Sequence, residues 1–270
     1  MKSNKLTLGI FASADAGKTT LSENILFSSG VTRRLGHVDD GDTLLDSDIM
    51  ERKRGITIFS KEARFSVGDM DVVLIDTPGH IDFAAEAERS LNVLDAAILI
   101  ISSEGVNKRT RQIWSKLDRY AIPRIIFVNK CDLASFDKEK ISTQLQSLSS
   151  AVFDAVKLQN IDEAINEKIA LSSDYALDIF EQKANFDEQD LKVLINKAAL
   201  FPCVYGSALK GDGVKELISL LSYFDVMREY DDAFSCFVYK ITRDKTGSRL
   251  SHVKITGGSV SLKQNINDEK

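Results

Sequence analysis

Residues 6–28 read LTLGIFASADAGKTTLSENILFS, and the order of patterns within them decides the fold. The apolar run 6–11 is short and ends at a turn, which is the signature of a buried strand rather than a helix. Ala12-Ser13-Ala14-Asp15-Ala16-Gly17-Lys18-Thr19 follows, and then a helical pattern over 20–28. The octapeptide fits the phosphate-loop pattern GxxxxGK[ST], except that Ala12 stands at the first glycine. Such a loop works because successive backbone N–H groups, opened by Gly17 at a helix start, surround phosphate oxygens while Lys18 neutralises them. Taken alone, the pattern is also that of a plain strand–turn–helix joint. The strand before it and the helix after it are what favour a phosphate site.

Outward from this unit the same alternation continues. Apolar, β-branched runs at 72–75, 97–101, 125–128 and 203–205 read as strands, with a further strand near 58–65. Between them 83–94, 108–120, 138–148 and 214–222 read as helices. This order predicts an α/β P-loop NTPase fold, a doubly wound, mostly parallel sheet whose ligands bind outside the carboxyl ends of the strands. The stretch 152–199 shows helical periodicity (Ile161, Ile165, Ile169, then Leu191, Leu194, Ile195, Ala198) and almost no strand pattern, so it reads as a helical insertion. From 234 the texture turns β-rich, with 235–241 and 250–255 joined by the polar RDKTGS. The expected organisation is a nucleotide-binding domain over 1–230, followed by the beginning of a truncated β-barrel over 234–270. The remaining length is too short to close a usual barrel.

The chain has 270 residues, a formal net charge of −5, 43% hydrophobic and 28% charged residues. That is globular composition, which argues against disorder, collagen and coiled coil. Cys131, Cys203 and Cys236 form no CxxC pair, and the N-terminal MKSNKLTLGIF has too short an apolar run for a signal h-region. A cytoplasmic, monomeric protein without membrane contact is expected. The acidic balance offers no general attraction to nucleic acid, and no sequence-specific recognition of it is expected. His37 and His252 have no second ligand at metal spacing, and Met50 and Trp114 read as packing.

Three further loops carry chemistry. Asp76-Thr77-Pro78-Gly79-His80 follows the apolar run VVLI. An aspartate at a strand end can hold Mg²⁺, and Gly79 can present its amide to a γ-phosphate, although Pro-Gly also makes an ordinary turn. Asn129-Lys130-Cys131-Asp132 follows IIFV. Asp132 in the plane of a purine accepts both N1–H and N2–H₂ of guanine, which adenine does not match, and a mismatch of this kind leaves buried polar groups unpaired. Asn129 would brace the loops and the Lys130 stem would cover the base. A lone NKxD is equally a solvated turn. Gly206-Ser207-Ala208 supplies a companion loop whose Ala208 amide reaches the guanine O6. Lastly, Arg54-Gly55-Ile56-Thr57-Ile58 lies between the phosphate loop and Asp76. In a GTPase a threonine there would close over Mg²⁺ when the γ-phosphate is present and leave after hydrolysis, although a surface loop whose Thr57 merely starts a strand gives the same pattern.

RGITI, DTPGH and NKCD together resemble the translational GTPases. Ala12 and the stretch VDDGDTLLDSDIMERKRGITI (38–58) are most similar to elongation factor G and, closer still, to the tetracycline-resistance ribosomal protection proteins. The interval from Asp132 to Ser207 accommodates a helical insert but not the larger insertion of elongation factor G. The resemblance implies GTP/GDP and Mg²⁺ as ligands, the ribosome as activating partner, and GTP hydrolysis with Lys18, Thr57 and His80 catalytic. In it His80 orients the attacking water. The nucleotide would be held by Asp15, Ala16, Gly17, Lys18, Thr19, Thr20, Asp76, Gly79, Asn129, Lys130, Asp132, Ser207 and Ala208. Mg²⁺ would be held by Thr19, Thr57 and Asp76, and a monovalent cation would sit near Asp15. Ser13 departs from the histidine usual in the family beside the phosphate loop. Two alternatives stay open: a fragment of an elongation factor G-like translocation factor, or a guanine-nucleotide module without productive hydrolysis.

Overall fold

The computed structural model describes residues 4–32, 61–76, 89–224, 232–243 and 246–265, with backbone only at Lys61 and Asp76. The switch segment with Thr57, the loop residues Gly79 and His80, His37, Met50 and most of the 83–94 helix lie outside the described residues. The chain divides into two compact units, Met1–Val226 and Met227–Lys270.

The first unit is built on a seven-stranded sheet. In chain order its strands are β1 (Lys5–Ala12), β2 (Lys61–Val67), β3 (Met70–Asp76), β4 (Ala96–Ile101), β5 (Arg124–Val128), β6 (Val152–Asp154) and β7 (Phe201–Tyr205). Their spatial order is β2-β3-β1-β4-β5-β7-β6. All neighbours run parallel except β2 and β3, a hairpin whose register closes at Val67 and Met70. Every residue of β4 and β5 is buried. Continuous apolar runs such as AAILII and IIFV suit strands that are covered on both faces, and they occupy the centre of the sheet for that reason.

Helices pack on these faces by their apolar stripes. Helix α1 (Lys18–Ser28) starts at Gly17. Helix α2 (Lys108–Arg119) is capped by the Asn107 side chain, which accepts from the Thr110 amide at 2.9 Å. It buries Thr110, Ile113, Trp114 and Leu117, the spacing of a single helical face. Helix α3 (Lys138–Gln146) buries Ile141 and Leu145. The 152–199 stretch holds α4 (Ala155–Gln159), α5 (Glu163–Ala170), α6 (Asp174–Lys183) and α7 (Glu188–Asn196). Asp162, Ser173 and Asp187 cap the last three, Asp187 through a reciprocal box with Asp190. The stretch differs from its all-helical reading at its start, where Val152–Asp154 pairs with β7 as an edge strand. Three residues are too few to show a two-residue period. Helix α7 ends at Asn196, and Ala198, expected on its apolar face, instead takes φ 53 beyond the helix end. Helix α8 (Val214–Leu220) follows β7 and runs into a 3-10 turn at Leu221–Tyr223.

At the amino end of β5, Arg124 is fully buried. Its guanidinium carbon lies 4.2 Å from the Trp114 ring centre and 4.4 Å from that of Phe201. It donates to the Trp114 carbonyl at 3.1 Å and pairs with Asp118. A buried cation is tolerated where rings and a carboxylate replace water, and here it ties α2 to the sheet.

The second unit is an antiparallel pair, β8 (Ser235–Arg243) and β9 (Arg249–Gly257), with a bulge between Val238 and Lys240. His252 packs against the Tyr239 ring and hydrogen-bonds Thr242 at 3.0 Å. No helix among the described residues is long and apolar enough to cross a membrane.

Arg124→Ala should lower unfolding stability by about 3–5 kcal/mol, because it removes the cation that Trp114, Phe201 and Asp118 surround and leaves a cavity. Arg124→Met, which keeps the apolar stem, should cost less than half as much. Urea denaturation of both variants checks the pair.

Candidate nucleotide site

The sheet order sets β1, β4, β5 and β7 side by side, so the loops leaving β1, β5 and β7 emerge at one edge. Backbone bonds extend each strand into its loop. The Asn129 amide donates to the Ile101 carbonyl at 2.7 Å, and the Gly206 amide to the Val128 carbonyl at 2.9 Å. Beside them β3 pairs with β1 so that Asp76 stands opposite Ile10 at the carboxyl end. The strand that ends in Asp76 therefore adjoins the one that leads into the phosphate loop.

The phosphate loop turns through two left-handed residues, Asp15 at φ 57 and Gly17 at φ 90. Asp15 is exposed, Ala16 is buried, and Gly17, Lys18, Thr19 and Thr20 are half-buried at the start of α1. Gly17 is required for space as well as for φ: a Cβ there would lie 2.3 Å from Asn129 Nδ2. Ser13 is buried, and its carbonyl accepts from the Ala16 amide at 3.3 Å.

Asn129, 3% exposed, joins three loops. Its Nδ2 donates to the Ala16 carbonyl at 2.8 Å. Its Oδ1 accepts from the Ala208 amide at 2.7 Å and from the Lys130 amide at 2.8 Å. Lys130 turns the chain at φ 64, after which the Cys131 amide donates to the Gly206 carbonyl at 3.0 Å. Non-glycine residues at positive φ cost free energy and persist where surrounding contacts impose them. Phosphate loop, NKCD loop and GSA loop are thus one hydrogen-bonded body.

The Asp132 carboxylate is held below the ordinary carboxylate range, first by the Ser207 side chain and also by Lys210, whose Nζ lies 3.5 Å away. It stays ionised and accepts hydrogen bonds only. Ser207 is itself fixed by exchanging backbone bonds with Asp212, each 3.1 Å. Gly206 leaves room for this closure, since a Cβ would meet the Asp212 carbonyl at 2.2 Å. Burial pushes the Cys131 thiol up to about 11, and Cys203 is also shifted upward by burial, so neither is a thiolate at neutral pH.

The structure thus brings together Ala16, Gly17, Asn129, Lys130, Asp132, Ser207 and Ala208. The Ala208 amide, which the sequence reading assigns to guanine O6, already donates to Asn129, so a contact to a base would be a shared, three-centre bond. Two residues escaped the sequence reading. Lys210 pairs with Asp132, and Asn24 on α1 donates to the Ala208 carbonyl at 2.9 Å. Asparagine in a helix interior was the available signal for the second.

The sheet order and its phosphate-loop edge define a P-loop α/β domain. The chain belongs to the elongation factor Tu GTP binding domain family, whose model matches residues 3–225. This is the domain type of the translational GTPases. The chain is 37% identical to tetracycline resistance protein TetP of Clostridium perfringens and 34% identical to TetS of Listeria monocytogenes. It is 33% identical to an oxytetracycline resistance protein of Streptomyces rimosus. Each of these matches covers 97% of this chain and 44% of the relative, so the chain spans less than half of their length. A crystal structure of a Thermus thermophilus protein superposes with TM-score 0.81 at 20% identity, covering 94% of this chain and 45% of that one. That likeness is one of fold.

Asn129→Ala should lower the stability of the nucleotide-free protein by about 3 kcal/mol, since it removes three mostly buried hydrogen bonds worth roughly 1 kcal/mol each. Gly17→Ala should act in the same direction by forcing an alanine into the left-handed region and displacing the Asn129 amide. Chemical denaturation without ligand measures both.

Proposed function

We propose that this chain binds guanine nucleotides across the joined loops and hydrolyses GTP to GDP and phosphate with the ribosome as activating partner. In this reading it is the GTPase domain of a factor of the ribosomal-protection type that confers tetracycline resistance. The observation that carries the proposal is Asn129, which bonds the phosphate loop to the two loops assigned to the base. The family match and the named resistance proteins support the same reading.

At the phosphate end, Lys18 and the loop amides from Asp15 to Thr20 meet the charge of the phosphates. Thr19, Thr57 and Asp76 offer hard oxygen donors of the kind Mg²⁺ takes alongside phosphate and water, and the junction of β1 with β3 suits such a site. Held by these residues, Mg²⁺ would supply charge neutralisation to the phosphates. Asp15 is assigned to a monovalent cation. At the base end, ionised Asp132 accepts from N1–H and N2–H₂, the Lys130 stem covers the ring, and Ser207 and Ala208 complete the edge. Gly79 offers an amide to the γ-phosphate, Thr57 closes over it, and His80 orients the water that attacks in line. Such catalysis is positioning and charge stabilisation. Unassisted turnover is expected near 10⁻⁴ to 10⁻³ s⁻¹, roughly, with a partner adding up to about 10⁵-fold.

Phosphate release measured with and without ribosomes tests the hydrolytic role. Ribosomes should raise turnover, and His80→Ala should remove at least about a hundredfold of it while GDP affinity holds. Tight GTP binding with turnover at background at every ribosome concentration would leave a binding module only. Asp132→Asn should exchange guanine for xanthine preference in competition binding.

Because the Asp132 pKa is lowered in the native protein, its contribution to affinity is complete above the ordinary aspartate value of about 3.9. That contribution is lost only as pH falls through the lower native value. The ratio of calorimetric GDP affinities of the wild type and Asp132→Asn should therefore stay flat from about pH 8 to pH 5, since the titration of the GDP phosphate is common to both.

A further inference from the structure

Asn24 sits mid-helix in α1 and is 5% exposed. An asparagine there is poor for helix propensity, because its amide competes with the backbone, so a tertiary role is the natural compensation. Its Nδ2 donates to the Ala208 carbonyl at 2.9 Å in a buried bond. The Ala208 carbonyl can only accept, which sets the Nδ2 end of the carboxamide toward it, and Ser28 Oγ donates to the other end, Asn24 Oδ1, at 3.2 Å. Gly211, at φ 80, passes close by: a Cβ on it would lie 3.6 Å from both ends of the Asn24 amide. On the other side of the same residue, the Ala208 amide donates to Asn129 Oδ1 at 2.7 Å. Two side chains from distant parts of the chain therefore hold both polar groups of Ala208, one at its N–H and one at its C=O. The orientation of that residue is set from outside its own loop.

We propose that Asn24 is a positioning residue for base recognition, linking the helix that begins at the phosphate loop to the loop that meets the guanine edge. The inference rests on the guanine-nucleotide reading above. Without Asn24 the Ala208 carbonyl is buried without its partner, and the 206–212 loop is free to shift. That shift moves the Ala208 amide away from O6, while Asp132 on its own loop and Gly17, Lys18 and Thr19 at the start of α1 keep their places. A loss confined to the base end is the mark of this role. A general loosening of the fold would weaken every nucleotide alike.

The test is calorimetric binding of GDP and of 6-thioguanosine diphosphate, whose sulfur is a weak acceptor, to the full chain and to Asn24→Leu. The nucleotide-free melts are recorded alongside. The expected result is an about tenfold loss of GDP affinity, little change for the 6-thio analogue, and therefore a collapse of the preference between them. Equal losses for both ligands, or no loss for either, would overturn the proposal. Should Asn24→Leu fail to fold, Asn24→Ser, which keeps a polar side chain too short to reach Ala208, is read by the same criterion. Wild-type protein with no preference for GDP over ADP would instead sink the guanine reading itself, so the two failures are told apart.

Discussion

One carboxamide holds the candidate site together. Asn129 offers a donor and an acceptor a short distance apart, and the structure uses both, the donor on the phosphate loop and the acceptor on the NKCD and GSA loops. In a buried setting each of these bonds is expensive to leave unmade, so the three loops hold one arrangement rather than drifting independently. Gly17 belongs to the same constraint, because the Asn129 amide occupies the space that a side chain there would need. The two non-glycine left-handed residues of these loops, Asp15 and Lys130, are the backbone cost of bringing tight loops this close.

The sheet makes that junction possible. Parallel strands deliver all their outgoing loops to one edge, and full burial of β4 and β5 leaves the central strands nowhere to slip. At the opposite end of β5, Arg124 does for packing what Asn129 does for the loops. A buried polar group fixes neighbours in one geometry when each of its contacts is specific. The loops that carry Asp132 and Ser207 are tuned electrostatically as well as sterically. Ser207 and Lys210 keep Asp132 charged and able only to accept, as the proposed reading of a guanine edge requires.

Much of the architecture was legible from periodicity. All six strands expected in the first unit exist, each within a few residues of its reading, because apolar runs between turn signals are a local property of the chain. The edge strand at Val152–Asp154 was not legible, being too short for any period. The early end of α7 was hidden because Ala198 continues an apolar stripe past the point where the backbone leaves the helix. At the site, glycine, lysine, asparagine and aspartate at fixed loop positions announced themselves by type. Asn24 and Lys210 did not, since their partners Ala208 and Asp132 are neighbours only after folding.

By itself the sequence determined the kind of element at each point and the residue types able to meet phosphate, metal and base, for these follow from side-chain chemistry and local backbone preference. Only the tertiary structure decided which loops touch, which way β2 runs, and which polar groups are already engaged, as the Ala208 amide is by Asn129. The physical reason is range. Propensity and pattern act over a few residues, whereas the bonds that shape this site join positions such as Ala16 to Asn129 and Asn24 to Ala208, whose proximity exists only once the sheet has set its strand order.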